Sequence, residues 1–513
     1  WIDLDDQLLR VYNLRDCICT VRADAVLAPQ IEKLDLTRLY KAEIALAKVM
    51  CRASIRGMKV DFERRDSLVP IADQYVLDDK GKATSQVNPD FGYPSGLGPR
   101  LRIRREEALV ELKRIAGHPE FNPASPVQLK WFLYDQLKFP VLKRTEKTNA
   151  PSTDKEALVL LSVLASTPNQ KTALKSLAKW RRSTKILSTW VEGLPILGDG
   201  RLHTTWKVHG TQSGRMSSSP GSQNWNKPIK RIFTCDPGHK LVGVDLSQAE
   251  LRGLGYLTGD PELLRMYREK LNVHTINAAL LFQVQCGTPK DTNPATDAYL
   301  RSACPQLIQR NYDDLPTPTG KKWWAIRRLA KVFVFAYAYG AEPDTIYEMI
   351  RSDIDPDTDM QSFPDVTLGL VEGLHASWAM LHPHIGNWWT AIVAQITKDG
   401  FYRSPLSGRI SWFRGGLKRN ELLNRPIQGM VADHMERTIE IDGYLQQATG
   451  QWGSVITSQV HDALNCEAAD QHVGVTKEIL WHVLNRPFDI PGVVEGAMLP
   501  ADEPTVGSHL DQV

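Results

Sequence analysis

The chain has 513 residues, with 62 lysines and arginines against 59 aspartates and glutamates, and a hydrophobic content of 42%. This length allows several domains with packed cores, and the net charge of +3 means that any nucleic-acid surface must come from local clustering of basic residues. No apolar run approaches the roughly 18 residues of a membrane span and no signal-peptide pattern appears, so we expect no membrane partner.

The seven cysteines are scattered along the chain. Cys17 and Cys19 form only a C-x-C, and no C-x-x-C pair suggests a zinc site, so we predict reduced thiols and a cytoplasmic location. The chain begins at Trp1 rather than Met, from which we expect a fragment or a processed product.

The N-terminal third of the chain predicts helices separated by loops. Residues 37–60 have helical apolar spacing and end near a glycine. Residues 86–100 are rich in proline, glycine and asparagine, which predicts a loop. Residues 152–165 begin with capping residues and continue as an apolar run, which predicts the start of a helix.

Residues 171–185, KTALKSLAKWRRSTK, contain six basic residues and no acidic one. On a helical wheel Lys171, Lys175, Lys179 and Arg182 share one face of about 80°. Such a basic stripe suits contact with phosphates, because it attracts a nucleic-acid backbone without reading its sequence. A solvated helix face is the alternative.

Two later segments predict buried strands that lead to a carboxylate. KLVGVD, residues 240–245, is followed by an amphipathic helix that starts near Ser247. SVITSQVHDALNCEA, residues 454–468, predicts a strand, a tight turn at His461 and Asp462, and a second strand. Strands and helices mix without strict alternation, so we predict the α+β class.

Asp245 and Asp462 are candidates for a metal site, since each follows a predicted strand. Asp245 alone has an ordinary alternative as the cap of the helix that follows. If the two strands pair, however, both carboxylates can share Mg²⁺, which prefers one or two carboxylates together with substrate phosphates. Such a site is suited to phosphoryl transfer.

Residues 327–340, RRLAKVFVFAYAYG, predict a helix with an unusual side-chain series. Arg327, Lys331, Phe335 and Tyr339 recur every four residues, and neighbours at that spacing share a face. A core helix with two snorkelling cations is one interpretation. The other is a ligand-binding face whose cations meet a phosphate group and whose rings meet a base.

Five segments occur in the order found in family A DNA polymerases, and from 38 onward the chain resembles that family. They are GRMSSSPGSQNWNKPIKRIF, DLSQAELRGLGYLTGD, RRLAKVFVFAYAYG, NRPIQGMVAD and QVHDALNCE. The resemblance implies a right-hand polymerase with an antiparallel-sheet palm, a helical thumb and helical fingers. It assigns 1–37 to a remnant of a 3′–5′ exonuclease-like domain, 38–195 to the thumb and first palm helix, 196–260 to the first part of the palm, 261–415 to the fingers with an insertion at 283–320, and 416–513 to the second part of the palm.

The resemblance also implies roles for individual residues. Asp245, Asp462 and the Leu246 carbonyl would hold two Mg²⁺ ions, for which Mn²⁺ can substitute. The incoming nucleotide would contact Arg327, Lys331 (also catalytic), Phe335, Tyr339, His274, Gln248 and Glu250, with Glu250 excluding a 2′-hydroxyl. The primer–template would contact Arg215, Gln428, His461, Lys185, Asn424 and Gln459.

The implied enzyme is a monomer that takes primed DNA and deoxynucleoside triphosphates, without a membrane, in the cytoplasm of a bacterium or a phage-infected cell. Tyr12 and Asp16 resemble the last exonuclease motif, but the earlier exonuclease carboxylates are not in this sequence, so we expect no proofreading. The divergent motifs and the insertion favour a phage or viral source.

Two positions depart from the family pattern. Leu246 stands where a tyrosine is usual, and Ala463 stands where a third acidic residue commonly follows the His–Asp pair. Ala463 therefore keeps open a catalytically weakened or inactive DNA-binding homologue. A single-subunit RNA polymerase relative is a further alternative, which Glu250 opposes because an acidic gate disfavours ribonucleotides.

Overall fold

The computed structural model describes residues 6–67, 75–77, 83–87, 96–145, 148–225, 227–282, 322–351, 363, 366–413, 418–488 and 497–513. The predicted insertion at 283–320 lies outside these residues. Within the described ranges no helix has the length and apolar character needed to cross a membrane.

Helices make up most of the described chain. Many start at a side-chain cap, where an oxygen accepts the otherwise unpaired backbone N–H three residues on; Asp154, Thr167 and Asp260 are examples. The α-helices are α1 Asp6–Lys33, α2 Thr37–Arg56, α3 Phe62–Asp66, α4 Leu97–Ala116, α5 Pro126–Lys130, α6 Lys155–Leu164, α7 Pro168–Ile186, α8 Lys227–Lys230, α9 Ala249–Thr258, α10 Pro261–Arg268, α11 Val273–Phe282, α12 Lys322–Ala338, α13 Pro343–Arg351, α14 Leu368–Leu381, α15 Pro383–Asp399, α16 Arg419–His434, α17 Thr438–Thr449 and α18 Val473–Leu484. Two π-helical segments, Trp131–Gln136 and Leu187–Val191, continue α5 and α7.

The strands are short except at the centre of the molecule. They are β1 Met58–Val60, β2 Tyr75–Leu77, β3 Ala83–Val87, β4 Arg201–Leu202, β5 Thr205–Lys207, β6 Ser217–Ser219, β7 Phe233–Thr234, β8 His239–Asp245, β9 Phe401–Arg403, β10 Ile410–Trp412, β11 Ser454–Val460, β12 Ala463–Ala469 and β13 Thr505–Gly507. One sheet has four strands in the order β11-β12-β8-β13, and all its neighbours are antiparallel.

The order of this sheet places the two candidate carboxylates together. β11 and β12 form a hairpin whose turn is His461 and Asp462, and β12 pairs with β8 so that Ala463 lies opposite Asp245. The predicted strand pairing is therefore confirmed, and with it the α+β class with an antiparallel sheet.

Four hydrophobic clusters support the fold. One joins α9 to α16 through the helices between them, and a second packs α2, α17 and α18 on the four-stranded sheet. A third lies around β1, β4 and β7, where Trp225 stacks on Phe233 with ring centroids 4.2 Å apart. The fourth holds α4, α5, α6 and α7 together around Phe132 and Leu133.

Several predicted helices and loops have the wrong first or last residue. The helix predicted over 37–60 stops at Arg56, because Gly57 takes a φ of 64° and the chain turns into β1. In the loop predicted over 86–100, 86 and 87 belong to β3, and α4 already begins at Leu97. The helix expected near Ser247 begins at Ala249, so Asp245 is not its cap. Residues 88–95 lie outside the described chain.

The predicted helices in the first half of the chain are otherwise present. α6 begins behind the Asp154 side chain, which accepts a hydrogen bond from the Ala157 N–H, as the capping residues predict. The basic stretch 171–185 lies on α7. Tyr12 and Asp16 lie on α1, a helix of 28 residues, and both are exposed.

Candidate active site

Asp245 and Asp462 meet at one end of the four-stranded sheet. Asp245 is the last residue of β8, and Asp462 is in the turn between β11 and β12. The backbone fixes their proximity, because the Leu246 N–H donates to the Asp462 carbonyl at 3.2 Å. On the other side of β8, the Asp502 N–H donates to the Asp245 carbonyl at 2.8 Å.

Both carboxyl groups are harder to ionise than an ordinary aspartate. Burial, together with the charges of Asp462 and Asp502, raises the pKa of Asp245 to about 6. Burial also raises the pKa of Asp462, with Glu250 acting in the same direction. Asp245 is nevertheless exposed, so a ligand can reach its side chain.

This pair fits a divalent cation that completes its coordination with substrate oxygens. Two hard carboxylates are what Mg²⁺ takes from protein in phosphate-transfer sites. Among the described residues no group of three histidine, cysteine, aspartate or glutamate side chains is placed to hold an ion.

A second acidic group lies next to the pair. The Glu250 side chain, on the first turn of α9, accepts hydrogen bonds from the Tyr339 hydroxyl and from Arg215. Burial and the Glu250 charge raise the pKa of Tyr339, which keeps its hydroxyl a donor, and the Gln428 side chain also bonds to it. Glu250 is therefore held in place from two sides.

The face of α12 carries the predicted series of side chains. The Lys331 Nζ lies 5.6 Å from the centroid of the Phe335 ring, and the ring centroids of Phe335 and Tyr339 are 6.3 Å apart. Lys331 is exposed, whereas Phe335 and Tyr339 are half-buried. Arg327 belongs to the same helix, but its side chain lies outside the described residues.

Gln248 links the carboxylate end of β8 to the segment that carries His274. The Gln248 Oε1 accepts the Val273 N–H at 3.1 Å, which fixes the start of α11. The His274 ring is buried, with its centroid 5.6 Å from that of Phe335. Gln248 and His461 have φ values of 54° and 57°, in a region that non-glycine residues seldom adopt.

Three of the predicted DNA contacts, Arg215, Gln459 and His461, line one small pocket. The Gln459 carbonyl accepts from Gln223 at 3.2 Å, and partial burial together with the Arg215 charge lowers the pKa of His461. Asn424 Oδ1 and Arg215 Nε are buried and have no hydrogen-bond partner in the described chain. These two atoms therefore retain capacity to bind a ligand.

Lys185 lies far from the carboxylates in sequence, at the end of α7, and is exposed. Lys171 and Lys175 of the basic stripe are exposed as well. Lys179 is not, because its Nζ pairs with Glu107 of α4 at 3.0 Å. The absence of acids within residues 171–185 thus does not extend to the neighbouring helix.

The sequence analysis missed Asp502, whose charge acts on Asp245. The surrounding stretch, PADEPTVG, has no apolar alternation that predicts a strand beside β8. The position of this stretch beside β8 follows only from tertiary contacts. One of them joins Ser247, just after β8, to this stretch, because the Ser247 N–H donates to the Pro500 carbonyl at 2.7 Å.

Paired carboxylates at one end of an antiparallel sheet, close to a helix with a cation and aromatic rings, form an arrangement suited to phosphoryl transfer. A sequence profile described as DNA polymerase family A matches residues 96–293 of the chain. Over those residues the chain is similar to that family.

Known proteins are similar to the chain over most of its length. "DNA polymerase I, thermostable" of Thermus thermophilus is 28% identical over 434 residues, which cover 80% of this chain and 45% of the relative. DNA polymerase I of Treponema pallidum is 28% identical over 396 residues, covering 73% of this chain and 34% of the relative. The chain thus spans less than half the length of these curated relatives.

Among solved structures, the fold is similar to that of the POL domain of Pol1 from M. smegmatis, described as a complex with DNA primer-template and dNTP. The TM-score is 0.69 at 20% sequence identity, and the match covers 95% of this chain and 73% of that chain. At this identity the likeness concerns the fold.

Proposed function

We propose that this chain is a template-directed DNA polymerase, which adds deoxynucleotides to a primer 3′-OH by nucleotidyl transfer. The observation that carries the proposal is the meeting of Asp245 and Asp462 at one end of the sheet, beside Glu250, which the Tyr339 hydroxyl of α12 contacts. Its substrates would be primed DNA and deoxynucleoside triphosphates, and it would act as a monomer.

In this proposal Asp245, Asp462 and the Leu246 carbonyl hold two Mg²⁺ ions, for which Mn²⁺ can substitute. Such ions, when bound, activate the attacking hydroxyl and neutralise charge on the leaving phosphate. The raised pKa values of the two carboxyl groups support this assignment, because a nearby cation would favour their ionised forms.

The remaining residues would bind and orient the substrates. Lys331, together with Arg327 and His274, would contact the triphosphate, where positive charge is needed as the leaving group departs. Phe335 would stack on the base, and Tyr339 would lie behind the templating position. Gln248 supports His274 through the start of α11.

Contacts to the primer–template would come from two surfaces. Those in the cleft are Arg215, Gln428, His461, Asn424 and Gln459, and the outer one is the basic stripe of α7 that ends at Lys185. We assign 38–195 to the thumb and first palm helix, 196–260 and 416–513 to the palm, and 261–415 to the fingers. Residues 1–37 would belong to an exonuclease-like domain.

The curated relatives compared above are bacterial. We therefore propose that the enzyme works in the cytoplasm of a bacterial or phage-infected cell, and a phage source stays a prediction.

Primer extension on a primed DNA template with Mg²⁺ tests the proposal. The full chain would receive deoxy- or ribonucleoside triphosphates, with Asp462→Asn in parallel. Extension with deoxynucleotides alone, abolished by the substitution, supports the polymerase. Efficient extension with ribonucleotides would instead favour the RNA polymerase relative.

A second candidate is a DNA-binding homologue without activity. It is favoured by Ala463, which lies opposite Asp245 in the sheet and supplies no carboxylate there. A folded protein that binds primed DNA but does not extend it with either Mg²⁺ or Mn²⁺ would select this candidate.

Glu250→Ala is expected to relax selection of the sugar. The side chain, anchored by Tyr339 and Arg215, would otherwise occupy the space of a 2′-hydroxyl. We expect the ratio of kcat/KM for ribo- over deoxynucleotides to rise about tenfold to a hundredfold, as for other steric exclusions. The matched control is Glu342→Ala, an exposed residue paired with Arg419 on the surface. An unchanged ratio in Glu250→Ala would remove Glu250 from sugar selection.

Lys175→Gln combined with Lys185→Gln is expected to weaken DNA binding and its dependence on salt. Both side chains are exposed on α7 and would neutralise phosphates. Each lost contact should flatten the slope of log K against log salt by about 0.9, measured by fluorescence anisotropy with duplex DNA. Lys143→Gln, on a lysine already paired with Asp154 and Glu156, should leave the slope unchanged. A double variant with the wild-type slope would indicate that this face of α7 is solvated and does not contact DNA.

A further inference from the structure

A cleft of about 850 Å³ lies next to the candidate active site and is not part of it. Its walls are α9, α10, the turn after α10 and the segment 497–502. Neither Asp245 nor Asp462 lines it, but Ser247 and Gln248 do, so it opens beside the residues that follow the metal-binding aspartate. The volume is in the range of small-molecule sites.

One wall contains a buried cation. Arg252 is 8% exposed, and its Nε donates to the Ser247 carbonyl at 2.9 Å. Its guanidinium lies 4.3 Å from the centroid of the Tyr267 ring. No carboxylate of the described chain forms a salt bridge with Arg252, and the acidic charge that acts on it is Asp502. A buried cation with so little compensation favours an anion in the cleft.

The Tyr267 hydroxyl is the second feature that points to a ligand. Tyr267 is 6% exposed, yet its hydroxyl has no hydrogen-bond partner in the described part of the chain. Such a group costs free energy unless a ligand or water binds it. Burial raises the pKa of Tyr267, so the hydroxyl keeps its proton and can donate to an anion.

More charges surround the mouth of the cleft. Arg268 and Lys270 are exposed at the end of α10 and add positive charge. Asp502, on the opposite segment, is the acidic residue of the lining. This combination suits a strongly anionic ligand that travels with a divalent cation, since the cations attract the anion and Asp502 attracts the metal.

We propose that this cleft binds a phosphoanhydride anion, namely the magnesium pyrophosphate released by the active site as it leaves. The proposal rests on the proposed function for the origin of the ligand. It requires no new covalent step, because nucleotidyl transfer itself breaks the bond between the α- and β-phosphates and releases pyrophosphate. Tyr267, Arg252 and Arg268 would then delay or guide its departure.

Binding of inorganic pyrophosphate tests the site without any catalysis. The full chain, without DNA, would be titrated calorimetrically with pyrophosphate and Mg²⁺, and in separate arms with a deoxynucleoside triphosphate and with orthophosphate. We expect pyrophosphate affinity to fall about tenfold in Tyr267→Phe and in Arg268→Gln, the effect of losing one charged hydrogen bond.

Each variant has a matched control. Tyr402→Phe removes another buried hydroxyl that lacks a partner in the described chain and does not line the cleft. Arg265→Gln removes an arginine of the same helix that is engaged by Glu262 and Glu269. Neither control should change pyrophosphate affinity.

The arms distinguish the possible outcomes. Weaker pyrophosphate binding in both cleft variants supports the site. If these variants also bind the deoxynucleoside triphosphate more weakly, the incoming nucleotide is a second source of the phosphoanhydride group. Absence of pyrophosphate binding, or loss of it in Lys331→Ala with full retention in Tyr267→Phe, would overturn the proposal. Because this experiment measures binding, it can succeed even if the polymerase proposal fails. A protein that binds pyrophosphate in the cleft but does not extend primers would support the site and contradict polymerase activity.

Product inhibition gives a second readout in an active enzyme. Tyr267→Phe should raise the inhibition constant of pyrophosphate about tenfold while leaving the KM for deoxynucleotides within about twofold of wild type. An equal change in both constants would mean that Tyr267 acts on the active site as a whole.

Discussion

Asp245→Asn is expected to lower primer extension by at least about 10³-fold and, at the same time, to stabilise the protein. The loss follows from the proposed function, in which Asp245 is one of the carboxylates that would hold the metal for phosphoryl transfer. The gain follows from removal of a charge that Asp462 and Asp502 repel at a partly buried position. We expect about 1 kcal/mol in the free energy of unfolding, because the open side of the carboxylate weakens the effect.

The change in the free energy of unfolding is expected to depend on pH. The folded-state pKa of Asp245 is about 6, above the ordinary 3.8, so the folded protein binds the proton more tightly than the unfolded chain. Stability is therefore lost as pH rises from about 4 to about 6, and Asp245→Asn avoids that loss. Urea titrations without divalent ions should show the largest difference above pH 6 and little below pH 4. A variant less stable than wild type at pH 7 would contradict the repulsion, and Asp135→Asn, on an exposed residue, is the control.

Glu467→Gln is expected to destabilise the protein by about 3–5 kcal/mol, the cost of breaking a buried ion pair from one side. The Glu467 side chain is 1% exposed and pairs with Arg56 at 2.8 Å and with Arg201 at 3.0 Å. It also accepts the Asp236 N–H at 2.8 Å. Burial alone would raise the pKa of Glu467, yet the Arg201 guanidinium and this N–H hold it below its usual value.

The reason for the large effect is that Arg201, whose side chain is 8% exposed, would lose one of its two carboxylate partners in the described chain and keep Asp236 and the carbonyls of Arg56 and Gly57. Chemical denaturation of the two proteins measures the difference. Glu503→Gln is the matched control, since that glutamate is 83% exposed and pairs with Lys477 at 3.5 Å; its effect should stay below about 0.5 kcal/mol. A similar small effect for Glu467→Gln would show that solvent replaces the lost charge.

The sheet that carries the carboxylates could be predicted because its signals are local. β8 and the β11–β12 hairpin are apolar runs that end at an aspartate or a turn, and a hairpin brings its own strands together. The face of α12 could be predicted for the same reason, because its spacing is a property of one helix. Roles for these residues came from the family resemblance.

Contacts between distant segments could not be predicted in this way. Glu250 and Tyr339 are 89 positions apart, and neither has a local pattern that indicates the other. Arg409 is a clearer case: it is buried and bonds to Asp433 at 2.8 Å and to Glu43, which belongs to α2. Charge in a sequence suggests solvent exposure, and only tertiary packing explains why these charges are inside. The short strand β1 is missed because three residues carry no periodicity.

The hydrophobic cluster around Phe132 and Leu133 shares no residue with the other three clusters. Its last helix, α7, leaves through the π-helical turn Leu187–Val191, where an extra residue loosens the regular hydrogen bonding. Leu97 and Leu101 of α4 and Ile186 of α7 pack in the third cluster, so the unit is attached to the rest of the described chain through both of these helices. Its interior and its attachment therefore use different side chains, and a substitution around Phe132 should loosen the unit itself without detaching it.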